Sequence, residues 1–379
     1  MTVSALETLP EHFAPMEDPR ADGGKRHLLL DTVTIAIAAV VSGADSWVEI
    51  ELYGQAKQEW LATFLELPHG IPSHDTFGRV FARLDPHQFQ ECLLGWLTSV
   101  QVIAQEQVVA VDGKTLRRSH DRTVGHSAIQ LVSAWATANH LVLGQEKVSE
   151  KSNEITAIPH LLQALDIAGC IVTADAMHCQ EAMAETIKAQ DAHYVLTVKG
   201  NQHTLFTEIA DLFAYAHRTD FKDVSHDSYQ TVEKGHGRIE KRCCWTITQP
   251  DFLTYLRQYA DWPGLHTIVQ VQTERKAIGA GSKTTTQYYI TSLATNAQTI
   301  LDAARGHWSI ENQLHWVLDV AFREDDCRVR IGHAAENLAT LRRVALNLLK
   351  RETTARCGIK AKRLKAALSE SYLLKVLSG

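Results

Sequence analysis

The sequence predicts an α/β protein in which a mixed sheet carries helices on its faces and is preceded by an all-helical N-terminal domain. Three observations lead there. The first hundred residues are patterned as helices, short apolar runs alternate with helical segments from about residue 106, and a strand-rich stretch from about 222 to 293 precedes one long helical pattern. That stretch reads as a β insertion ahead of the helix carrying Glu311. The 379 residues, 45% hydrophobic and 22% charged, are ordinary globular material. They divide into residues 1–104, 105–332 and a basic helical end, 333–379.

In order along the chain, apolar spacing predicts helices over 27–43 and 47–66. Pro68, Gly70 and Pro72 then break the chain. Ser73 is the expected N-cap of a third helix, SHDTFGRVFARL, and Pro86 opens a fourth running to about residue 103. Such a helical module can contact DNA or a partner, or serve structure alone. VVAVDG, SAIQLVSAWATA and HLVLGQEKV read as three strands. A helix over 154–166 follows, then the strand GCIVTADA, a helix over 179–190, the strand AHYVLTVKG and a helix over 202–217. In the insertion, SYQTVEKGHGRIEKRCCWTIT, LHTIVQVQTERKA and TTTQYYITSL are strand-like. Thr295 with Gln298 three residues on is a capping-box signature for the long helix. Helices over 333–351 and 359–377 close the chain, and no internal repeat is evident.

Composition narrows the function classes. Glu7, Glu11, Glu17 and Asp18 stand where a secretory signal would be basic, so none is expected. Leu28 to Val41 is too short to span a bilayer and contains Asp31, so it reads as a buried core helix. Cys92, Cys170, Cys179, Cys243, Cys244, Cys327 and Cys357 form no CxxC pair. They suggest neither a disulfide framework nor a zinc site, and a reducing, cytoplasmic setting fits them. The net charge of −6 is unevenly spread. Residues 1–100 hold 6 Lys/Arg against 14 Asp/Glu, whereas residues 341–379 hold 10 against 2. The basic end is expected to bind DNA phosphates through Arg342, Arg343, Lys362 and Arg363; the alternative is that it pairs with the acidic N-terminal domain.

Asp112 and Asp175 stand at the carboxyl ends of apolar strands, where an open α/β sheet binds ligands. A carboxylate there needs charge compensation, and hard oxygen donors suit magnesium or manganese. Each Asp alone can instead stabilise a turn, as Asp112-Gly113 would. In RGHWSIENQLHWVLDVAFREDDCRVR, His307, Glu311, His315 and Asp319 recur every four residues and so share a helix face, with Trp308 and Leu318 expected to dock it. The same face can be merely solvated. Glu324, Asp325 and Asp326 form a secondary cluster suited to charge tuning or structure.

At these residues the chain resembles the H-repeat-associated proteins, an insertion-sequence (ISAs-type) branch of the DDE transposases. The matching segments are GIPSHDTFGRVF, VVAVDGKTLRRS, KSNEITAIPHLL, VTADAMHCQ, VLTVKGNQ, KGHGRIEKR and RGHWSIENQLHWVLDVAFREDDCRVRIGHAAENLATLRR, in the family's order over nearly the whole chain. The resemblance implies a ribonuclease-H-like catalytic core with a β insertion. It implies a metal triad of Asp112, Asp175 and Glu311 holding two Mg²⁺ or Mn²⁺ ions. It also implies cleavage at element ends, strand transfer into target DNA, and a homodimer assembled on those ends. The broader relatives' Tyr-x2-Arg-x3-Glu-x6-Lys pattern is absent: its flanking positions hold Ala304, His307 and Leu318, and Arg305 and His315 are the candidate replacements.

Two metal ions roughly 3.5–4 Å apart can activate the attacking oxygen and stabilise the leaving one. In that scheme Asp112 bridges both ions while Asp175 and Glu311 each hold one side. Lys114, Arg117, Arg118, Lys199, Asn201, Gln202, His236 and Arg238 are candidate phosphate or strand contacts. Trp308 can stack on an unpaired base or pack in the core. The competing readings are a metal-dependent nuclease that does not join, a domesticated DNA-binding derivative, and a zinc hydrolase built on His307 and His315. The last lacks an HExxH motif.

Overall fold

The computed structural model describes residues 5–21, 25–98, 107–120, 127–148, 154–235, 237–248, 250–277, 281–294 and 296–378. Before the sheet come α1 (Ala5–Phe13), α2 (Leu29–Val41), α3 (Trp47–Ala56), the short α4 (Gln58–Leu61), α5 (His74–Arg83) and α6 (Pro86–Thr98). Ser73 caps α5 as expected, its hydroxyl accepting from the Thr76 N–H. The helix predicted over 47–66 is interrupted, because Lys57 leaves helical geometry at φ −114°. The predicted end of α6 near residue 103 lies outside the described residues. α2 is buried from Asp31 to Val41. The Asp31 carboxylate accepts the Leu67 N–H at 2.9 Å, which offsets part of its burial. Among the described residues no helix is long and apolar enough to cross a membrane.

The strands are β1 (Val108–Thr115), β2 (Gln130–Ala136), β3 (Leu141–Lys147), β4 (Ile171–Ala174), β5 (His193–Val198), β6 (His226–Gly235), β7 (Arg238–Ile247), β8 (Thr267–Ala277) and β9 (Ser282–Thr291). They form one nine-stranded sheet in the order β3-β2-β1-β4-β5-β9-β8-β7-β6. β1, β4 and β5 run parallel, and the other pairings are antiparallel. The strands read as an insertion thus extend the same sheet, joining it where β9 pairs with β5.

Between the strands lie α7 (Glu154–Gln163), α8 (Glu181–Ala189), α9 (His203–Arg218) and the short α10 (Pro250–Leu253). α7, α8 and α9 share one core with Val109, Val111, Val172 and Leu196. On the opposite face, α11 (Ala297–Ile310) packs with Val108, Ile171 and Val195. The strands alternate sides as period-two geometry requires. The α11 N-cap is Asn296, whose side chain accepts the Thr299 N–H; the expected Thr295 lies outside the described residues. After α11 come α12 (Trp316–Phe322), α13 (Ala334–Arg351), α14 (Ile359–Leu368) and α15 (Glu370–Ser378).

The N-terminal helices do not close a core of their own. Phe77, Phe81, Phe89 and Trp96 share one apolar cluster with Leu341, Leu348 and Val376 from the other end of the chain. α13 is buried from Ala334 to Leu349 and runs between the two ends. This corrects the expected phosphate-binding tail: Arg342, Arg343, Lys362 and Arg363 are all interior. Arg363 donates to the carbonyls of Val40 and Ala44 and pairs with Asp45 at 2.9 Å, while Arg342 reaches the Asp45 carbonyl at 3.2 Å. Lys362 donates to the Leu349 carbonyl at 2.9 Å. Arg342 and Arg363 tie the chain's two ends together, Lys362 and Arg343 are committed to Leu349 and Glu324, and all four are unavailable to a phosphate at the surface.

Candidate active site

Parallel register creates the centre. Val111 pairs with Ala174, so the next residues, Asp112 on β1 and Asp175 after β4, stand side by side at adjacent strand ends. α11 crosses above them at close range. A Cβ on Gly306 would sit 3.3 Å from Val108 Cγ1. His307 Nδ1 lies 3.3 Å from Thr173 Oγ1, and Trp135 Nε1 donates to Ser309 Oγ at 3.0 Å.

The helix then widens into a π turn over Glu311–His315 before resuming as α12. Such turns are frequent at functional sites because the extra residue per turn re-aims side chains. Here it turns the buried His315 ring toward both acids: Nδ1 is 3.3 Å from Glu311 Oε2 and 3.5 Å from Asp112 Oδ2. Donor atoms of Asp112, Glu311 and His315 all lie within 4.8 Å of one another.

Burial, and then repulsion from Asp175 and Glu311, pushes the Asp112 carboxyl up to about 7. Burial, followed by the nearby Lys114 and Arg343 charges, pulls His315 down to about 3, which leaves its imidazole neutral. Burial also pulls His307 down to about 4. Converging carboxylates beside a neutral imidazole make a donor set suited to a divalent cation, whose charge would offset their repulsion.

Asp175 is held differently. Its Oδ1 accepts the N–H groups of Met177 at 3.0 Å and His178 at 3.3 Å, and His178 Nδ1 lies 2.8 Å from it. His178 Nε2 is in turn 2.8 Å from Oε2 of Glu154, the first residue of α7. Although burial opposes it, the two carboxylates raise His178 to about 9, and His178 lowers Asp175. Asn201 and Gln202 donate to the carbonyls of Ala176 at 2.6 Å and Cys179 at 2.9 Å, so they brace this turn. Glu154 and His178 were missed as functional residues. Both lie inside the matched motifs, but their meeting depends on α7 folding back over the sheet.

Other sequence expectations sort by exposure. Lys114 is buried; it pairs with Asp319 and with Glu324, the latter at 3.2 Å, and is corrected from a strand contact to a support beneath the site. Glu324 is fully buried; burial would raise it, but Arg343 at 2.8 Å and Lys114 hold it at about 2. Asp325 and Asp326 pair with the exposed Arg117 at 3.2 Å and Arg118 at 3.4 Å. Arg238 pairs with Glu240 and Arg305 with Glu233. Lys199 is exposed at the end of β5. His236 lies outside the described residues. Leu318 is buried as expected, but Trp308 is 59% exposed and does not dock the helix. Trp316, the residue directly after the π turn, is equally exposed, at 60%.

Comparison with known proteins assigns residues 10–97 to a region described as DDE_Tnp_1-associated and residues 103–348 to a transposase DDE domain. The chain is 39% identical over 377 residues to the "H repeat-associated putative transposase YhhI" of Escherichia coli K12, covering 99% of this chain and 98% of that one. It is 37% identical over 378 residues to the "Putative transposase YncI" of Escherichia coli O157:H7, covering 99% and 95%.

Proposed function

Because the chain belongs to the DDE transposase family, we propose that it is an insertion-sequence transposase that cleaves DNA at element ends and joins the freed 3′ ends to target DNA. The observation that carries this reading is the parallel Val111–Ala174 register, which sets Asp112 beside Asp175 under the helix bearing Glu311. The order β3-β2-β1-β4-β5, with three parallel central strands, supports a ribonuclease-H-like core. DNA is the substrate, and pairing of two element ends favours a homodimer.

Asp112, Asp175 and Glu311 would hold two Mg²⁺ or Mn²⁺ ions, with His315 as a neutral fourth donor. Such ions activate an attacking oxygen and stabilise the leaving one in line with it. The protein's own work is to hold these donors rigid, to keep His315 unprotonated, and to guide a strand past them. Trp308 offers an exposed ring for base stacking beside Glu311, and Lys199 an exposed cation at a strand end. A groove of about 1090 Å³ between α3, α5 and residues 323–334 is lined by Arg79, Arg83, Arg323, Arg328 and Arg330 as well as by Asp45, Glu49, Asp75 and Asp326, and its arginines are candidate phosphate contacts.

The test is incubation of the purified protein with element-end DNA and Mg²⁺ or Mn²⁺, followed by mapping of the cut strands. Asp112→Asn, Asp175→Asn and Glu311→Gln should each abolish cleavage while DNA binding persists. A precleaved 3′-hydroxyl end separates a transposase from a nuclease, because only the former joins it to target. Wild-type cleavage in excess EDTA, or by any one of the three variants, sinks the metal triad.

A further inference from the structure

We infer that Glu154 and His178 are positioning residues that fix Asp175 as a metal ligand, forming a carboxylate–imidazole–carboxylate chain beneath the strand ends. The inference rests on the triad reading and adds two residues to it.

His178 is 1% exposed and lies between two acids, 2.8 Å from each. An imidazole so buried cannot swing without abandoning both partners. Two backbone N–H groups, of Met177 and His178, donate to Asp175 Oδ1, and the His178 ring makes a 2.8 Å charge contact with the same oxygen. All three contacts fall on Oδ1, which biases the rotation of the carboxylate and leaves Oδ2 for a ligand. That is how outer residues orient a metal's ligands.

Glu154 also touches the other strand end. A Cβ built on Gly113, the residue after Asp112, would meet Glu154 Oε1 at 2.4 Å. Only glycine leaves room for that carboxylate there. One side chain thus takes its place from β1 and passes its orientation through His178 to Asp175 after β4. A carboxylate serving only α7 would not need this fit, since α7 already buries Ala157, Ile158, Leu161 and Leu162.

The experiment measures manganese binding to the full chain by electron paramagnetic resonance, with no DNA present, alongside the melting temperature of each variant. Wild type should bind Mn²⁺ and Asp112→Asn should bind it far more weakly. Glu154→Gln and His178→Ala should each weaken binding by about 10- to 100-fold. Gly113→Ala, which displaces the Glu154 carboxylate without altering it, should do likewise. His178→Asn keeps a donor near the Nδ1 position and should regain most of what His178→Ala loses. If Glu154→Gln, folded and melting near wild type, binds Mn²⁺ as wild type does while Asp112→Asn does not, the inference is overturned and the triad stands. It is also overturned if the Asn variant binds no better than the Ala variant. If wild type itself fails to bind Mn²⁺, the triad reading falls and takes this inference with it.

Discussion

Replacing Arg363 by Ala separates the structural from the DNA-binding account of the basic C-terminal helices. The guanidinium is 3% exposed. It donates to the Val40 carbonyl at 2.9 and 3.1 Å, to Ala44 at 3.1 Å and to Ala321, pairs with Asp45 at 2.9 Å, and lies 4.1 Å from the Phe322 ring centroid. Truncation leaves Asp45, already pushed up by burial, without its main counter-charge. Removing one partner of a buried pair costs roughly 3–5 kcal/mol, and each acceptor left bare adds about 1–3 kcal/mol unless water enters. The Val40 carbonyl also accepts the Gly43 N–H, so it is not wholly abandoned. The net expectation is a loss of about 3–5 kcal/mol and a melting temperature lower by several degrees. Chemical denaturation measures the first and a thermal scan the second. Titration of DNA at several salt concentrations should give an unchanged slope of log affinity against log salt. A slope shallower by about 0.9 per lost phosphate contact, with stability within 1 kcal/mol of wild type, would refute the structural account.

Glu324 makes stability acid-sensitive. Its folded value of about 2 lies below the 4.5 of an unperturbed glutamate, so its contribution is present above pH 4.5 and is lost as pH falls from there through about 2. Denaturation across that range should show a flatter acid limb for Glu324→Gln than for wild type, and that variant should be less stable near neutrality by roughly 3 kcal/mol; superimposable pH profiles would contradict this. Trp308→Ala should leave melting unchanged because the ring is exposed, yet weaken single-strand binding by about 1–3 kcal/mol; equal affinity in a fluorescence titration would remove Trp308 from the DNA path. Gly332→Ala should destabilise by about 1–3 kcal/mol, since φ is +53° and a Cβ would stand 2.4 Å from the Ala82 carbonyl oxygen; a wild-type melting temperature would count against that strain.

Elements whose period matches their environment were readable directly. β1 and β4 are buried on both faces, so they appear as unbroken apolar runs, and the acids ending them stand out. The π turn left no such mark, because His307, Glu311, His315 and Asp319 fit an ordinary helix face at i+4 spacing. Lys114 was misread since sequence shows its neighbour Asp112 but not Asp319 or Glu324, two hundred residues on. Trp308 failed the opposite way: aromatic residues in an amphipathic helix usually pack inward, and here the ring stands in solvent on α11. Local pattern gives each strand's faces, but pairs joined across the fold emerge only from topology.

The opposed charges of the chain's two ends show how this matters for function. Read along the sequence, the basic end invites a phosphate backbone; folded, Arg342 and Arg363 are committed to the Ala44–Asp45 loop and Arg343 to Glu324, while Arg356, Lys360, Lys365 and Lys375 stay exposed. The exposed arginines nearest the groove are ones that the sequence scatters. Arg79 and Arg83 come from α5, Arg323, Arg328 and Arg330 from the segment after α12, and Arg117 and Arg118 from the end of β1. Topology gathers them, since Arg330 donates to the Arg118 carbonyl at 3.3 Å and Arg118 pairs with Asp326. That segment therefore ties the groove wall to the strand that carries Asp112. Behind that segment the buried Lys114–Glu324–Arg343 cluster fixes the chain between β1 and α13 by ion pairs of 3.2 and 2.8 Å.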